Sequence, residues 1–138
     1  LTDRHVEVVD QTTGARYVPV GYVDAMERAY AAADLMVARS GAGTVMETAS
    51  VGLPCIFVPL PHGNGEQARN ADFLLAAETA RLVPNAELTR ERLLAEVLPL
   101  IQDRACLASM SATLTGLVPA DAAGDLARAV LDSIPGAS

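Results

Sequence analysis

The sequence contains few aromatic residues and few cysteines. It has no tryptophan, two phenylalanines, three tyrosines and two cysteines among 138 residues. Because 51% of the residues are nonetheless hydrophobic, alanine-rich helices and valine or leucine strands are predicted to form the core. Cys55 and Cys106 are far apart and follow no metal-ligand spacing, so we interpret them as a buried strand cysteine and a helical cysteine.

Segments typical of membrane or secreted proteins are also missing. No apolar run approaches the roughly 20 residues needed to span a bilayer, and no basic segment precedes an apolar leader, so the chain is predicted to be cytoplasmic. The net charge of −7 argues against a nucleic-acid or anionic-membrane surface. An anionic ligand would therefore have to be held by local dipoles. The first residue is Leu1 rather than methionine, which suggests a piece of a longer protein.

Familiar catalytic motifs are absent too. The sequence has no Ser-His-Asp ordering, no Walker A lysine motif and no metal-ligand cluster. His62 lies in a loop and is a weak candidate for a base, but a lone loop histidine is more often solvated. No tightly bound cofactor or metal is expected.

Strands alternate with helices along the chain, which predicts an α/β fold with a parallel, Rossmann-like sheet and helices on both faces. We expect a single domain over 1–138, with a βα core at 16–85 and C-terminal helices at 86–138. The predicted strands are Arg16–Val20, Leu35–Ala38, Cys55–Val58 and Arg81–Val83. The strand Leu35–Ala38 is fully apolar, as expected in a sheet covered on both faces.

The helices are predicted from caps and periodicity. Asp24 is expected to cap the first helix, and the others are predicted over Thr44–Val51, Glu66–Thr79, a segment capped by Thr89, Arg104–Leu114 and Ala120–Ser133. In the segment after Thr89, one face is expected to hold Leu93, Leu94, Val97, Leu98 and Ile101. Pro99 should bend or break that segment. Residues 1–14 are expected to be helix or loop.

A glycine-rich turn follows the strand Leu35–Ala38. In open parallel sheets, ligands bind beyond the carboxyl ends of the strands, and a helix that starts there presents free N–H groups to an anion. The candidates to hold a diphosphate are therefore Ser40, Ala42, Gly43 and Thr44. The glycines of this turn would let the backbone approach an anion closely and adopt φ values that other residues avoid. Such turns also join strands to helices without binding anything.

Polar residues follow the turn at spacings that suit a sugar. Glu47 lies one helical turn beyond Gly43 and could accept hydrogen bonds from ribose hydroxyls, although a solvated helix glutamate is the simpler interpretation. Glu66, Gln67 and Asn70 begin the next helix and could bind sugar hydroxyls, or they could be surface or capping residues. Arg39 could anchor a phosphate or pair with Glu47.

The combined motifs Arg39-Ser-Gly-Ala-x-Thr44-x-x-Glu47, Gly52-Leu-Pro and Glu66-Gln67-x-x-Asn70-Ala71 closely resemble the MurG family of GT-B N-acetylglucosaminyltransferases. The resemblance covers about residues 17–133 and implies a C-terminal domain that binds the substrate UDP-N-acetylglucosamine. In that pattern the backbone at Val23 would bind uracil, and Ala42, Gly43 and Thr44 the diphosphate and sugar. Glu47 would bind the ribose, and Glu66 and Gln67 the N-acetylglucosamine hydroxyls. The chain departs from the common pattern at Glu66 and Gly43.

The resemblance also implies parts that this chain lacks. The family's first donor-domain strand, with its Gly-Gly-Ser turn, and the N-terminal domain that binds lipid I are not in these residues. We therefore expect the isolated chain to be inactive, and the complete enzyme to be cytoplasmic or peripheral at the cytoplasmic membrane face. The alternatives are a GT-B transferase with another lipid or natural-product acceptor, and a non-catalytic nucleotide-sugar binding module.

Overall fold

The computed structural model describes residues 8–61, 65–119, 124 and 127–130. The chain divides into two compact units, the first ending at Ala32 and the second beginning at Ala33. Each unit is described by itself. The single domain over 1–138, with its 16–85 core and 86–138 helical part, stays a prediction.

The first unit contains a small antiparallel sheet. Strand β1 (Val8–Val9) pairs with β2 (Arg16–Tyr17), because Asp10 accepts hydrogen bonds from two backbone amides of the intervening turn. Gly14 completes that turn at a φ of +71°. The expectation of helix or loop is therefore wrong for Val8–Val9, and residues 1–7 lie outside the described chain. The strand predicted over Arg16–Val20 is shorter than expected.

The first helix, α1 (Met26–Ala32), belongs to the same unit. The carbonyl oxygen of Ala25 accepts the hydrogen bonds from Arg28 and Ala29. The helix therefore begins one residue later than a cap at Asp24 would place it.

The second unit is built on a parallel sheet of three strands. These are β3 (Met36–Ala38), β4 (Cys55–Phe57) and β5 (Ala80–Leu82), in the order β3-β4-β5. Helix α2 (Ala42–Ser50) connects β3 to β4, and α3 (Glu66–Asn70) with α4 (Asp72–Ala76) connects β4 to β5. Both strand pairs are parallel, so the predicted α/β class with a parallel sheet flanked by helices is confirmed.

The strands of this sheet differ in burial. Cys55, Ile56 and Phe57 are all buried, and because successive strand side chains point to opposite faces, both faces of β4 are covered. Val37 of β3 is 43% exposed. The expectation that this strand is covered on both faces is wrong within the described residues, where β3 pairs only with β4 and forms the sheet edge.

Two longer helices follow the sheet, α5 (Arg90–Gln102) and α6 (Arg104–Leu117). Thr89 caps α5 as predicted, since its hydroxyl oxygen accepts a hydrogen bond from the Arg92 amide at 3.0 Å. Pro99 was expected to bend or break this segment. It does not break it, because it lies in the last turn and α5 continues to Gln102.

The buried face of α5 differs from the predicted one. Leu94, Leu98 and Ile101 are each at least 40% exposed, whereas Leu100 is buried. Leu100 lies in the core with residues of β4, the β5 end and α6, with Val97 packed against them. The core cluster is Ile56, Val58, Val83, Leu100, Leu107 and Met110.

The helix predicted over Glu66–Thr79 is two short helices. Helix α3 ends at Asn70, where the Ala71 amide donates to Ala68 three residues back, and α4 begins at Asp72. Helix α4 stops at Ala76 because Glu78 takes a left-handed φ of 57°. The Glu78 and Thr79 amides then donate to Leu75 and Leu74, which is a Schellman ending.

Most of the helix predicted over Ala120–Ser133 lies outside the described residues, and residues 124 and 127–130 are helical. Over the ranges that the structure describes, no helix is both long and apolar enough to cross a membrane.

Candidate functional site

The first turn of α2 lies directly after the carboxyl end of β3. Gly41 is the N-cap residue and makes no side-chain cap, and the first intrahelical bond runs from the Val45 amide to the Gly41 carbonyl at 3.0 Å. The amides of Ala42, Gly43 and Thr44 therefore have no partner within the helix. Together with the positive end of the helix dipole, they form a surface that favours an anion.

The glycines of this turn do not act through unusual backbone angles. Gly41 has a φ of −63°, Gly43 lies inside α2, and neither residue has a positive φ. A Cβ atom added at either position would meet nothing within 4 Å. The expected need for special φ values is therefore wrong, and what the glycines leave is open space at the positions that their side chains would occupy.

Ser40 connects β3 to this turn and is fully buried. Its carbonyl oxygen accepts a hydrogen bond from Asn70 Nδ2 of α3 at 3.0 Å. Within the described part of the chain, Ser40 Oγ has no hydrogen-bond partner. The turn is thus tied to α3 through its backbone, and the Ser40 hydroxyl is buried.

Arg39 bonds to acceptors in the segments that follow the neighbouring strands. Its Nη1 donates to the carbonyl oxygens of Val58 at 3.1 Å and Pro59 at 3.4 Å, and to Asn85 Oδ1 at 2.7 Å. Val58 and Pro59 follow β4, and Asn85 begins a short 3-10 helix (Asn85–Glu87) after β5. Arg39 therefore links the carboxyl ends of all three strands.

Two glutamates and a glutamine complete this end of the sheet. Glu47 is exposed on α2, one turn beyond Gly43, and Glu66 is exposed at the start of α3. Gln67 Oε1 accepts a hydrogen bond from the Leu60 amide at 3.0 Å. The carboxylates of Glu47 and Glu66 can accept hydrogen bonds from hydroxyl groups.

The chemistry available here is ligand binding. Helix amides can stabilise negative charge, and carboxylates can orient hydroxyls. His62, the candidate base, lies outside the described residues. Among the residues that are described, no group of three or more His, Cys, Asp or Glu side chains is arranged to hold a metal ion.

Comparison with protein families identifies the domain. The model of the glycosyltransferase family 28 C-terminal domain matches residues 3–125. This chain belongs to that family. The resemblance seen in the motifs is thereby confirmed.

Relatives of this family 28 domain are close in sequence. A Cutibacterium acnes protein named UDP-N-acetylglucosamine–N-acetylmuramyl-(pentapeptide) pyrophosphoryl-undecaprenol N-acetylglucosamine transferase is 60% identical over 126 residues, which are 91% of this chain and 34% of that protein. The Nocardioides protein of the same name is 50% identical over 88% of this chain and 33% of its own length. The chain thus spans about a third of the relatives it matches.

Two solved structures share the fold. The crystal structure of Acinetobacter baumannii MurG matches with a TM-score of 0.72 and 28% identity, over 82% of this chain and 34% of that one. The structure described as the glycotransferase of kitacinnamycin matches with a TM-score of 0.54 and 27% identity, over 73% and 26%. The family 28 domain therefore has the fold of the C-terminal GT-B domain of MurG.

The predicted site residues of the family 28 domain differ in how the structure places them. Ser40 and Asn70 are joined by a hydrogen bond, and Ala42, Gly43 and Thr44 form the first turn of α2. Gln67 bonds to the loop after β4. Val23 is 40% exposed and belongs to the first unit, so its role in binding uracil stays a prediction.

Sequence reasoning missed Asn85 as part of this end of the sheet. The signal was present, because Asn85 follows a predicted strand and the carboxyl ends of parallel strands meet at one edge. The sequence left open whether Arg39 anchors a phosphate or pairs with Glu47. Its side chain bonds to Val58, Pro59 and Asn85, and phosphate binding by Arg39 stays a prediction.

Proposed function

We propose that this chain is the donor-binding part of an inverting N-acetylglucosaminyltransferase. It would hold UDP-N-acetylglucosamine while another part of a longer protein binds lipid I, in peptidoglycan synthesis at the cytoplasmic face of the membrane. The observation that carries the proposal is the first turn of α2, which follows β3 and whose amides have no partner within the helix, with no atom within 4 Å of where a Cβ at Gly41 or Gly43 would lie.

The residues around α2 suit a nucleotide diphosphate sugar. The amides of Ala42, Gly43 and Thr44 would bind the diphosphate, and Glu47, one turn further along the helix, would accept hydrogen bonds from the ribose hydroxyls. Glu66 and Gln67 at the start of α3 would bind the hydroxyls of N-acetylglucosamine. The 60% identity to a transferase that carries this donor in its name supports the choice of sugar.

The reaction needs two catalytic tasks, and this chain suits one of them. Glycosyl transfer with inversion needs a base that deprotonates the acceptor and donors that stabilise the departing UDP. The α2 amides suit the second task, and we assign the first to the acceptor-binding part of the protein. The similarity to the kitacinnamycin glycotransferase supports a second candidate, a transferase of the same fold with a natural-product acceptor. The third candidate is a nucleotide-sugar binding module without catalysis.

Titration calorimetry on the full-length protein tests the donor assignment. We expect saturable binding of UDP-N-acetylglucosamine that is tighter than that of UDP-glucose or dTDP-sugars. Glu47→Ala should weaken it about 10- to 100-fold, because hydrogen bonds to a charged group are worth about 1.5–3 kcal/mol. Glu91→Ala, an exposed glutamate in the first turn of α5, is the matched control and should leave affinity unchanged.

Two results would reject the assignment. One is the absence of saturable UDP-sugar binding, and the other is binding that does not respond to Glu47→Ala. Tight donor binding without transfer to any lipid-linked acceptor would support the binding-module alternative instead.

A further inference from the structure

A closed ring of hydrogen bonds connects three segments beside the candidate site: the end of β3, the segment after β4, and α3. Asn70 donates to the Ser40 carbonyl, Gln67 accepts from the Leu60 amide, and Arg39 donates to the Val58 and Pro59 carbonyls. Arg39 and Ser40 are neighbours in the chain, and Gln67 and Asn70 both lie on α3. Segment 58–60 is therefore held from one side by β3 and from the other by α3.

Asn85 fixes the Arg39 side chain from outside the ring. The 2.7 Å bond from Arg39 Nη1 to Asn85 Oδ1 is the shortest of the three that this nitrogen makes, and bonds from a charged donor are stronger than neutral ones. To contact a phosphate through the same nitrogen, Arg39 would have to leave these oxygens. Its contacts favour a role in holding the chain.

We propose that Arg39, anchored by Asn85, is a positioning residue that fixes segment 58–60 and, through Gln67, the start of α3. The ring then sets the separation between the anion-binding amides of α2 and the residues that would bind the sugar. This inference rests on the proposed function. Catalytic and binding groups must be held within a fraction of an ångström of their productive positions, and a planar guanidinium bonds to several oxygens in a geometry that a lysine ammonium does not reproduce.

The test compares Arg39→Lys, Asn85→Ala and the double variant in the full-length protein. Arg39→Lys should weaken the binding of UDP-N-acetylglucosamine roughly tenfold, about 1.4 kcal/mol. It should weaken the binding of UDP less, because the ring positions the residues that would bind the sugar. Asn85→Ala should show a smaller loss in the same direction. The double variant should bind no worse than Arg39→Lys, because the two residues act as one unit. Arg104→Lys, an exposed arginine that begins α6, is the matched control.

Amide hydrogen exchange provides a readout that needs no ligand. The Leu60 amide should exchange about tenfold faster in Arg39→Lys and in Asn85→Ala, whereas the Val58 amide, bonded to Ala38 in the sheet, should not change. Circular dichroism checks that each variant is folded. If Arg39→Lys does not fold, the milder substitution Asn85→Ala still tests the proposal.

The outcomes separate this inference from the proposed function. If the unmodified protein binds no donor, the proposed function fails, and Leu60 exchange alone decides the inference. Unchanged Leu60 exchange in both variants would overturn it. An equal loss of affinity for UDP and for UDP-N-acetylglucosamine in Arg39→Lys, with no effect of Asn85→Ala, would also overturn it. That result would make Arg39 a phosphate ligand.

Discussion

The two ends of the three-stranded sheet are held together by different interactions. At the carboxyl end, Arg39, Gln67 and Asn70 bond to backbone groups of neighbouring segments. At the amino end, the turns before β4 and β5 are Schellman endings with left-handed residues, Gly52 and Glu78. Polar side chains thus hold the end where a ligand would bind, and backbone turns with close packing hold the other.

This difference separates binding from stability. The amino end is held by packing within the protein itself, because the turn at Gly52 lies directly against α6. No ligand is needed for this contact. The carboxyl end contains the first-turn amides of α2, which have no partner within the helix, and the exposed side chains of Glu47 and Glu66. Substitutions at the amino end should therefore change the free energy of unfolding, and substitutions at the carboxyl end should change donor affinity.

The largest expected effect is that of Gly52→Ala. Gly52 has a φ of +70°, and a Cβ atom there would lie 2.9 Å from Thr115 Cγ2 and 3.3 Å from the Ser111 carbonyl oxygen. Strain and overpacking together should lower the free energy of unfolding by about 2–4 kcal/mol. Urea denaturation measures the loss.

A second substitution sharpens the Gly52 prediction. Thr115→Ser removes the methyl group that the new Cβ would meet and should restore part of the lost stability. The folded fraction of Gly52→Ala should bind the donor with unchanged affinity. Equal losses of stability and affinity would contradict the proposed separation of the two ends.

Alkaline pH should weaken the amino end through Cys55. Burial raises the pKa of this thiol from 9.0 to about 11, against a lowering effect of the nearby Thr48 side chain. Because the folded pKa is the higher one, the neutral thiol stabilises the fold fully below pH 9, and this contribution is lost as the pH rises from about 9 to 11. The loss corresponds to about 2–3 kcal/mol.

Denaturation at pH 8 and pH 11 checks the Cys55 prediction against Cys55→Ala. The variant should be less stable at pH 8, because it leaves a cavity, but should lack the part of the alkaline decrease that Cys55 causes. The same pH dependence in both proteins would show that Cys55 does not contribute to it.

The smallest expected effect is that of Glu78→Gly. Glu78 is the only non-glycine residue with a positive φ in the described chain, at 57°. Glycine adopts this conformation without strain, and after its larger loss of backbone entropy it should stabilise the fold by about 0.5–1 kcal/mol. Thermal unfolding measures the gain. Glu91→Gly, inside α5, should instead be destabilising, and a loss of stability in both variants would mean that residue 78 is not strained.

The sequence predicted the sheet well because its signals are local. The apolar run before the glycine turn predicted β3, Pro54 marked the start of β4, and Pro84 marked the end of β5, while Thr89 marked the start of α5. The helix predicted to end at Val51 ends next to Gly52, because glycine adopts the left-handed φ that closes a helix without strain. The family resemblance added the ligand class, which periodicity alone does not contain.

The remaining features depend on contacts that the sequence does not show. The left-handed Glu78 could not be predicted, because glutamate does not favour that conformation and the turn into β5 imposes it. The buried face of α5 depends on how the helix lies against β4 and α6. Leu100 is therefore buried, whereas the predicted face residues Leu94, Leu98 and Ile101 are exposed. Arg39 could have bonded to several partners, and only the fold brings Asn85 to it.

Amide NMR spectra of the full-length protein, recorded during titration with UDP-N-acetylglucosamine, test the central claim most directly. We predict that the signals of Ala42, Gly43 and Thr44 shift in proportion to saturation, because these amides acquire phosphate partners, whereas the Gly52 and Glu78 amides at the opposite end of the sheet do not shift. Saturable binding that leaves the α2 amides unchanged, or that shifts the amino-end amides instead, would contradict the account.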